Sequence, residues 1–314
     1  MSAAARLGGR NAFHLLVAVG IAVLLALAGC TATGDEKSGV VVTTNILGDI
    51  TRHIVGGEAE VTVLMKPDAD PHSFGISAQQ AAKLEQAGLV VHNGLGLEEG
   101  VARNVQAAEA AGVPAVAVGA EVDPVRYTAA GTDGQLDPHF WTDPGRMSRA
   151  VDVIAEQVIA HVDGVNPQVV RANAAQYRAG IDQLGAEMSE QFARIPAERR
   201  KLVTNHHVFG YLAQRYDFEV VGAVIPSGTT LASPSASDLK ALADTIRAAG
   251  VPAIFADSSQ PDRLAQVLAD QAGLQVEVVP LFSESLSRPG RGAGDYLEMM
   301  RSNTEAIVRG LGRG

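Results

Sequence analysis

The chain is poor in three things. It has a single cysteine, Cys30, in 314 residues. No disulfide can close within it, so the fold must rest on its apolar cores. It has no excess of positive charge: 25 Lys and Arg stand against 35 Asp and Glu, for a net charge of −10. An acidic chain is repelled by phosphate backbones, which argues against a nucleic-acid partner. It also lacks an apolar run long enough for an ordinary bilayer span. The nearest candidate is "LLVAVGIAVLLALAG", which follows Arg6 and Arg10 and ends in small residues at Cys30. A basic start, a short apolar centre and small residues at the end describe a secretory signal over residues 1–29.

"LAGC" resembles the lipobox of bacterial lipoproteins. That resemblance implies that Cys30 is lipidated and becomes the new N-terminus. Acyl chains contribute about 0.8 kcal/mol per buried CH₂, so two or three of them would anchor the protein stably. Residues 31–38, "TATGDEKS", are polar and read as a flexible tether, so residues 30–39 form a lipidated lead-in to the folded part. Removing residues 1–29 takes away two arginines and no acid, which leaves the mature chain more acidic still.

What is present is enough apolar material, 46% of residues, for two domains of ordinary size. "GVVVTTN", "EVTVLM", "LVVHNG", "PAVAVG" and "PAIFADSS" read as short buried strands, and helical spacing lies between them. Strands alternating with helices imply parallel α/β units. The pattern also repeats. "VVTTNILGDITRHIVGGEAEVTVLMKP" from Val41 and "LVTNHHVFGYLAQRYDFEVVGAVIP" from Leu202 both run strand, Thr-Asn, helix, strand, proline. The fold class is therefore α/β, with two related lobes built on parallel sheets. Between them Val170, Ala174, Tyr177, Ile181, Leu184, Met188, Phe192 and Ile195 recur in three- and four-residue steps, with Pro167 before and Pro196 after. This is one apolar stripe on one long, rigid connecting helix. The expected boundaries are residues 40–165 for the first lobe, 166–196 for the connector and 197–314 for the second.

Two short stretches carry candidate chemistry. Residues 70–74 read "DPHSF" and residues 137–144 read "DPHFWTDP". Proline stiffens each turn, so each presents one imidazole, His72 or His139. Taken alone, either could be a surface or capping histidine. In the second lobe "VTNHHVFGY" sets His206 and His207 directly after a strand. Ligands gather at the carboxyl ends of strands in such lobes, and two adjacent histidines cannot easily face one point. One of the pair is expected to bind and the other to lie nearby.

Together with "NGLGLE", "HHVFGYLAQRY", "SPSASDL", "AIFADSS" and "GDYLEMMRSNTEAI", these stretches resemble the cluster A-I solute-binding proteins. Those are the metal-binding lipoproteins of zinc and manganese ABC importers, and the resemblance runs from about Val40 to Leu311. It implies two lobes joined by a backbone helix, with one metal ion between them. Carried over residue by residue, it implies His72, His139, His206 and Asp295 as ligands. The spacing at Asp295 departs from the family pattern by one residue, and Asp257 and Glu284 stand as alternatives. Three imidazoles and a carboxylate suit a divalent transition metal in a near-tetrahedral shell. His206 at the third position favours Zn2+ over Mn2+. Trp141 is expected to wall the site, and Asp143 or Asn205 to fix a histidine tautomer. The implied partner is an ABC permease, and the implied place is the outer face of the cell membrane, as a lipid-anchored monomer.

Three patterns of other functions are missing or broken. There is no H-E-x-x-H, and four protein ligands would leave no position for water, so a zinc hydrolase is not expected. "NGLGLEEG" breaks the dinucleotide glycine pattern and reads as a tight turn. The stretch before the second "DPH", "RYTAAGTDGQL", carries no histidine, so it is not a scavenging loop.

Overall fold

The computed structural model describes residues 39–127, 134–272 and 276–312. The signal segment, Cys30 and the tether up to residue 38 lie outside the described residues.

The first lobe starts with β1 (Val40–Val42), α1 (Asn45–Val55), β2 (Val61–Val63), α2 (Ala78–Glu85) and β3 (Leu89–His92). It continues through α3 (Ala102–Ala110), β4 (Ala115–Ala117), the short α4 (Val118–Glu121) and α5 (Pro144–His161). A long helix, α6 (Pro167–Phe192), leads to the second lobe. There β5 (Lys201–Thr204), α7 (Gly210–Tyr216), β6 (Glu219–Ala223), α8 (Ala236–Ala249), β7 (Ala253–Asp257), α9 (Arg263–Ala272), β8 (Glu277–Leu281) and α10 (Tyr296–Gly312) follow.

The repeat is visible in the topology. One sheet has the order β2-β1-β3-β4 and the other β6-β5-β7-β8. All pairings are parallel, so each half has the same second-first-third-fourth order. β1 and Leu89–Val91 of β3 are buried valine- and leucine-rich segments, as expected where helices cover both faces of a parallel sheet. In such a sheet the crevice for a ligand opens at the carboxyl edge, where the strand order reverses. Both lobes turn that edge toward the candidate site.

The connector is a single helix of 26 residues, about 39 Å long at roughly 1.5 Å per residue. Asn166 caps it by accepting from the Gln168 N–H at 3.0 Å, and Pro167 occupies its first turn, where a missing N–H costs nothing. Val170, Ala174, Tyr177, Ile181, Leu184, Met188 and Phe192 are all buried, and Ile195 is buried in the turn beyond. This stripe is part of one core that also contains Val42 and Val91 of the first sheet and Leu202, Phe255 and Leu281 of the second. Two smaller cores lie on the outer faces of the sheets. Val41, Leu84 and Val105 belong to the one in the first lobe; Val203, Ile246 and Leu268 belong to the one in the second. The connector is therefore a packed strut shared by both lobes. Truncating Leu184, which has no exposed surface, to Ala should cost about 2–5 kcal/mol.

Candidate metal centre

The two "DPH" turns share a backbone device. In each, the aspartate side chain accepts the N–H two residues on: Asp70 Oδ1 from His72 N and Asp137 Oδ1 from His139 N, both at 2.9 Å. This Asx turn, stiffened by the intervening proline, fixes where the histidine leaves the chain. His206 is placed differently, two residues past the end of β5, where the Thr204 hydroxyl donates to the His206 carbonyl at 2.7 Å. Glu284 lies three residues past β8. Its neighbours are pinned from the first lobe. Trp141 Nε1 donates to the Ser283 carbonyl at 2.8 Å. Asn45 Nδ2 donates to Ser285 Oγ at 2.7 Å, and Asn45 Oδ1 accepts from Leu286 N at 2.9 Å.

These four side chains meet between the lobes. The His139 Nε2 atom lies 3.3 Å from His72 Nε2 and 3.4 Å from His206 Nε2. Glu284 Oε1 lies 3.1 Å from His206 Nε2 and 3.5 Å from His139 Nε2, and Oε2 lies 3.7 Å from His72 Nε2. One donor atom from each falls within 4.8 Å of all the others. None of the four residues is more than 2% exposed.

The arrangement is electrostatically incomplete as it stands. Neither carboxylate oxygen of Glu284 has a hydrogen-bond partner, and Nδ1 of His72 and of His206 has none. Buried polar groups left without partners are costly. The spacing of the inward Nε2 atoms points to what completes the Glu284 oxygens. Atoms bonded at about 2.0–2.1 Å to a tetrahedral centre stand roughly 3.3–3.4 Å apart, which matches the two nitrogen separations. Three imidazoles with a carboxylate are borderline-soft donors suited to a first-row divalent ion, and calcium or magnesium would demand mostly oxygen.

Burial sets the protonation states accordingly. His72 is pushed down to about 2 by desolvation and then by the charges of His139 and His206. Desolvation likewise lowers His139, well below the usual imidazole range, and His206. Glu284 is raised well above the usual carboxyl range, first by desolvation and then by Asp257, Asp70 and Asp137. The histidines are thus neutral, as metal ligands must be, and the carboxyl holds its proton until a cation displaces it.

Only His139 has its outer nitrogen occupied. Its Nδ1 lies 2.7 Å from Asp137 Oδ1 and 3.2 Å from the Tyr127 hydroxyl. An Nδ1–H donating to the carboxylate leaves Nε2 as the free donor. Desolvation raises Asp137 to about 7, opposed by the N–H of His139. Asp137 was not among the residues expected to orient a histidine, although its place two residues before His139 is the signature of an Asx turn. Asp143, which was expected, does something else. It caps α5 by accepting from Gly145 N at 2.8 Å and pairs with Arg146 at 2.7 Å and Arg215 at 3.2 Å. Asn205 does not serve the adjacent ring, since Nδ1 of His206 has no partner. Trp141 stands edge-on to His139 with ring centroids 5.2 Å apart.

The structure brings His72, His139 and His206 together but does not bring Asp295 to them. Asp295 Oδ1 accepts the Glu298 N–H at 2.7 Å and its carbonyl accepts from Met299 N at 2.9 Å, so it caps α10. The fourth member is Glu284, one of the two alternatives. The other, Asp257, is held by the Ser259 N–H at 2.6 Å and by the hydroxyls of Ser259 and Ser283, and it supports the Glu284 loop from behind. Ser283, Glu284, Ser285, Leu286 and Ser287 are all buried.

Comparison with known proteins gives the same picture. Residues 40–310 match the family described as zinc-uptake complex component A, periplasmic. The zinc-binding protein TroA of Treponema pallidum is 32% identical over 286 residues, covering 90% of this chain and 91% of its own. The manganese ABC transporter substrate-binding lipoprotein PsaA of Streptococcus anginosus is 28% identical, covering 92% of this chain and 96% of its own. Among solved structures, periplasmic zinc-binding TroA from Treponema pallidum superposes with a TM-score of 0.81 at 31% identity, over 88% of this chain and all of that one (100%). A manganese-bound periplasmic metal-binding protein from Candidatus Liberibacter asiaticus gives 0.76 at 25% identity, over 87% of this chain and 100% of that one.

Proposed function

The chain belongs to the zinc-uptake complex component A family, and from that membership and the buried cluster we propose that it captures zinc outside the cytoplasm and delivers it to an ABC permease. The ion is cargo, held by His72, His139, His206 and Glu284. The observation that carries this reading is the convergence of three Nε2 atoms and two partnerless carboxylate oxygens in one buried place. Bound there, a divalent cation neutralises the carboxylate and satisfies every inward lone pair at once.

The chain's own residues do the rest. The Asx turns hold His72 and His139 in position before the ion arrives, Asp137 keeps the proton of His139 on the outer nitrogen, and Trp141 with the Ser283–Leu286 segment keeps water out. Cys30 as lipid anchor, an extracytoplasmic membrane location and a monomeric state belong to the same reading and rest on the lipobox and on relatives named as lipoproteins.

Manganese is the second reading. Both oxygens of Glu284 are free to bind, and a bidentate carboxylate with three imidazoles raises the coordination number above four, which manganese tolerates well. Metal analysis of the protein purified without added metal, followed by calorimetric titration with zinc and with manganese, decides between them. A protein that takes up neither ion overturns the proposal.

A further inference from the structure

The two "DPH" aspartates share an Asx turn but differ in what else they hold, Asp137 using the same Oδ1 for the Nδ1 of its histidine and Asp70 using its second oxygen elsewhere. Asp137 turns toward its own histidine. Asp70 reaches across to the other lobe: its Oδ2 accepts from Thr230 Oγ1 at 2.6 Å and Gln260 Nε2 at 3.0 Å, as well as from Ser73 Oγ at 2.9 Å. Asp70 is 8% exposed, so these bonds to a carboxylate are sheltered from water. Thr230 belongs to the segment Ile225–Leu231 that follows β6, and Gln260 follows β7.

A second grip holds the same segment. The Tyr127 hydroxyl donates to the Gly228 carbonyl at 3.2 Å and stands 3.2 Å from Nδ1 of His139. A Cβ on Gly228 would collide with the Tyr127 ring and hydroxyl, so the approach requires glycine. The segment is also tied to the strand end bearing His206, through Ile225 N to the Asn205 carbonyl at 2.8 Å and His207 N to the Ser227 carbonyl at 3.0 Å. Its own internal bonds are few: Ser227 N to the Ile225 carbonyl at 2.7 Å at its start, then Thr229 N to Ser227 Oγ and Leu231 N to Thr229 Oγ1, both at 3.3 Å. Leu231 at its tip is 52% exposed. Its conformation is therefore imposed by what grips it.

We propose that Asp70 and Tyr127 are positioning residues that couple His72 and His139 to the segment Ile225–Leu231, making it a latch that closes on the loaded centre. The proposal rests on the zinc-capture reading above. Its physical basis is a pair of short chains of bonds. One runs from the His72 backbone through Asp70 to Thr230 and Gln260. The other runs from the His139 ring, whose Nδ1–H goes to Asp137 and against whose edge the Tyr127 hydroxyl stands at 3.2 Å, through that hydroxyl to the Gly228 carbonyl. A cation on Nε2 of His139 fixes the ring against which the Tyr127 hydroxyl rests, and with it the place from which that hydroxyl reaches Gly228. A cation that fixes His72 also fixes the turn that orients Asp70. Loading thus tightens both grips, and release of the ion requires that they open. A shape difference of this kind is what a transport partner needs to tell loaded from empty protein.

The test uses the full folded chain with zinc alone as the probe. Thr230→Val and Tyr127→Phe each remove one grip while leaving the four donors untouched. Zinc release into excess chelator should speed up about tenfold or more in each, with association little changed, because each variant loses a hydrogen bond to a buried partner. In Asp70→Asn, adding Thr230→Val should bring no further acceleration, since both act on one chain. Hydrogen exchange should show residues 225–231 gaining protection on zinc loading in the unsubstituted protein and not in Tyr127→Phe. Unchanged release rates in both single variants, or equal protection of residues 225–231 with and without zinc, would overturn the latch while leaving the capture reading intact. Failure of the unsubstituted protein to hold zinc would instead remove the reading beneath it.

Discussion

Glu284→Gln changes a charge and almost nothing else. The side chain keeps its volume and one oxygen, in a place that is 1% exposed. Two effects of opposite sign follow. Without metal, burial and the nearby Asp257, Asp70 and Asp137 raise the Glu284 carboxyl well above its usual range. Its folded value lies above its unfolded one, so while the folded carboxyl keeps its proton the group costs the fold about 1.4 kcal/mol for each pH unit above the unfolded carboxyl range, and the cost falls away as pH drops toward that range. Glutamine has no such cost. The metal-free variant should therefore melt at or above the temperature of the parent at pH 7, and the gap should close near pH 4.5. With metal the order reverses. Leaving a buried cation without its carboxylate costs about 3–5 kcal/mol, so affinity should fall by roughly 10²–10³-fold or more. At saturating zinc in the parent, a thousandfold loss removes about 4 kcal/mol of ligand stabilisation, or roughly 8–16 °C of melting temperature. Thermal melts with and without zinc at pH 7 and near pH 4.5 read all four values. A metal-free variant that melts well below the parent and still gains its full increment from zinc would refute the reasoning.

Asp295→Asn should cost up to about 1 kcal/mol through a weakened helix cap and leave zinc affinity within about twofold in the same titration. His206→Ala should weaken zinc binding by orders of magnitude in a competitive chelator assay, whereas His207→Ala, whose ring lines an open pocket beside Phe209 and Asp137, should change it far less. Binding should also be pH-dependent with a definite sign. The three histidines are already neutral near pH 7 and release nothing, while Glu284 must give up its proton. Calorimetry in buffers of different ionisation enthalpy should then report about one proton released and an affinity that rises as much as tenfold per pH unit; Glu284→Gln should abolish that release.

Much of the architecture was legible because it is carried by periodicity. The connector's apolar stripe, from Val170 to Ile195, can be read one position at a time, and the structure buries every member. The duplicated strand–helix–strand pattern from Val41 and from Leu202 became two sheets with the same strand order. His72 and His139 were legible because proline and aspartate leave a local mark on the chain. The fourth donor was not, for a physical reason. Glu284 sits in "LFSESLS", where no period or turn rule applies, and its place is set by Trp141, Asn45 and Asp257, which come from distant parts of the chain. Asp295 stood before a helix, and a carboxylate in that position satisfies free N–H groups whether or not a metal is near. Asp137 could have been found from its spacing to His139, since the residue that accepts the i+2 N–H is also within reach of that residue's side chain.

The apolar core that runs from the first sheet through the connector into the second has a thermodynamic consequence. Neither half holds a complete interior of its own, because each would expose its side of the connector if the other were gone. Heating should therefore produce one calorimetric transition for both halves, with matching calorimetric and van't Hoff enthalpies, rather than two. The outer clusters around Leu84 and around Ile246 are separate from that shared interior and can open on their own, so amide exchange should find α2 and α8 labile at free energies well below the global value. The protein would then behave as a stiff keel with two independently breathing flanks.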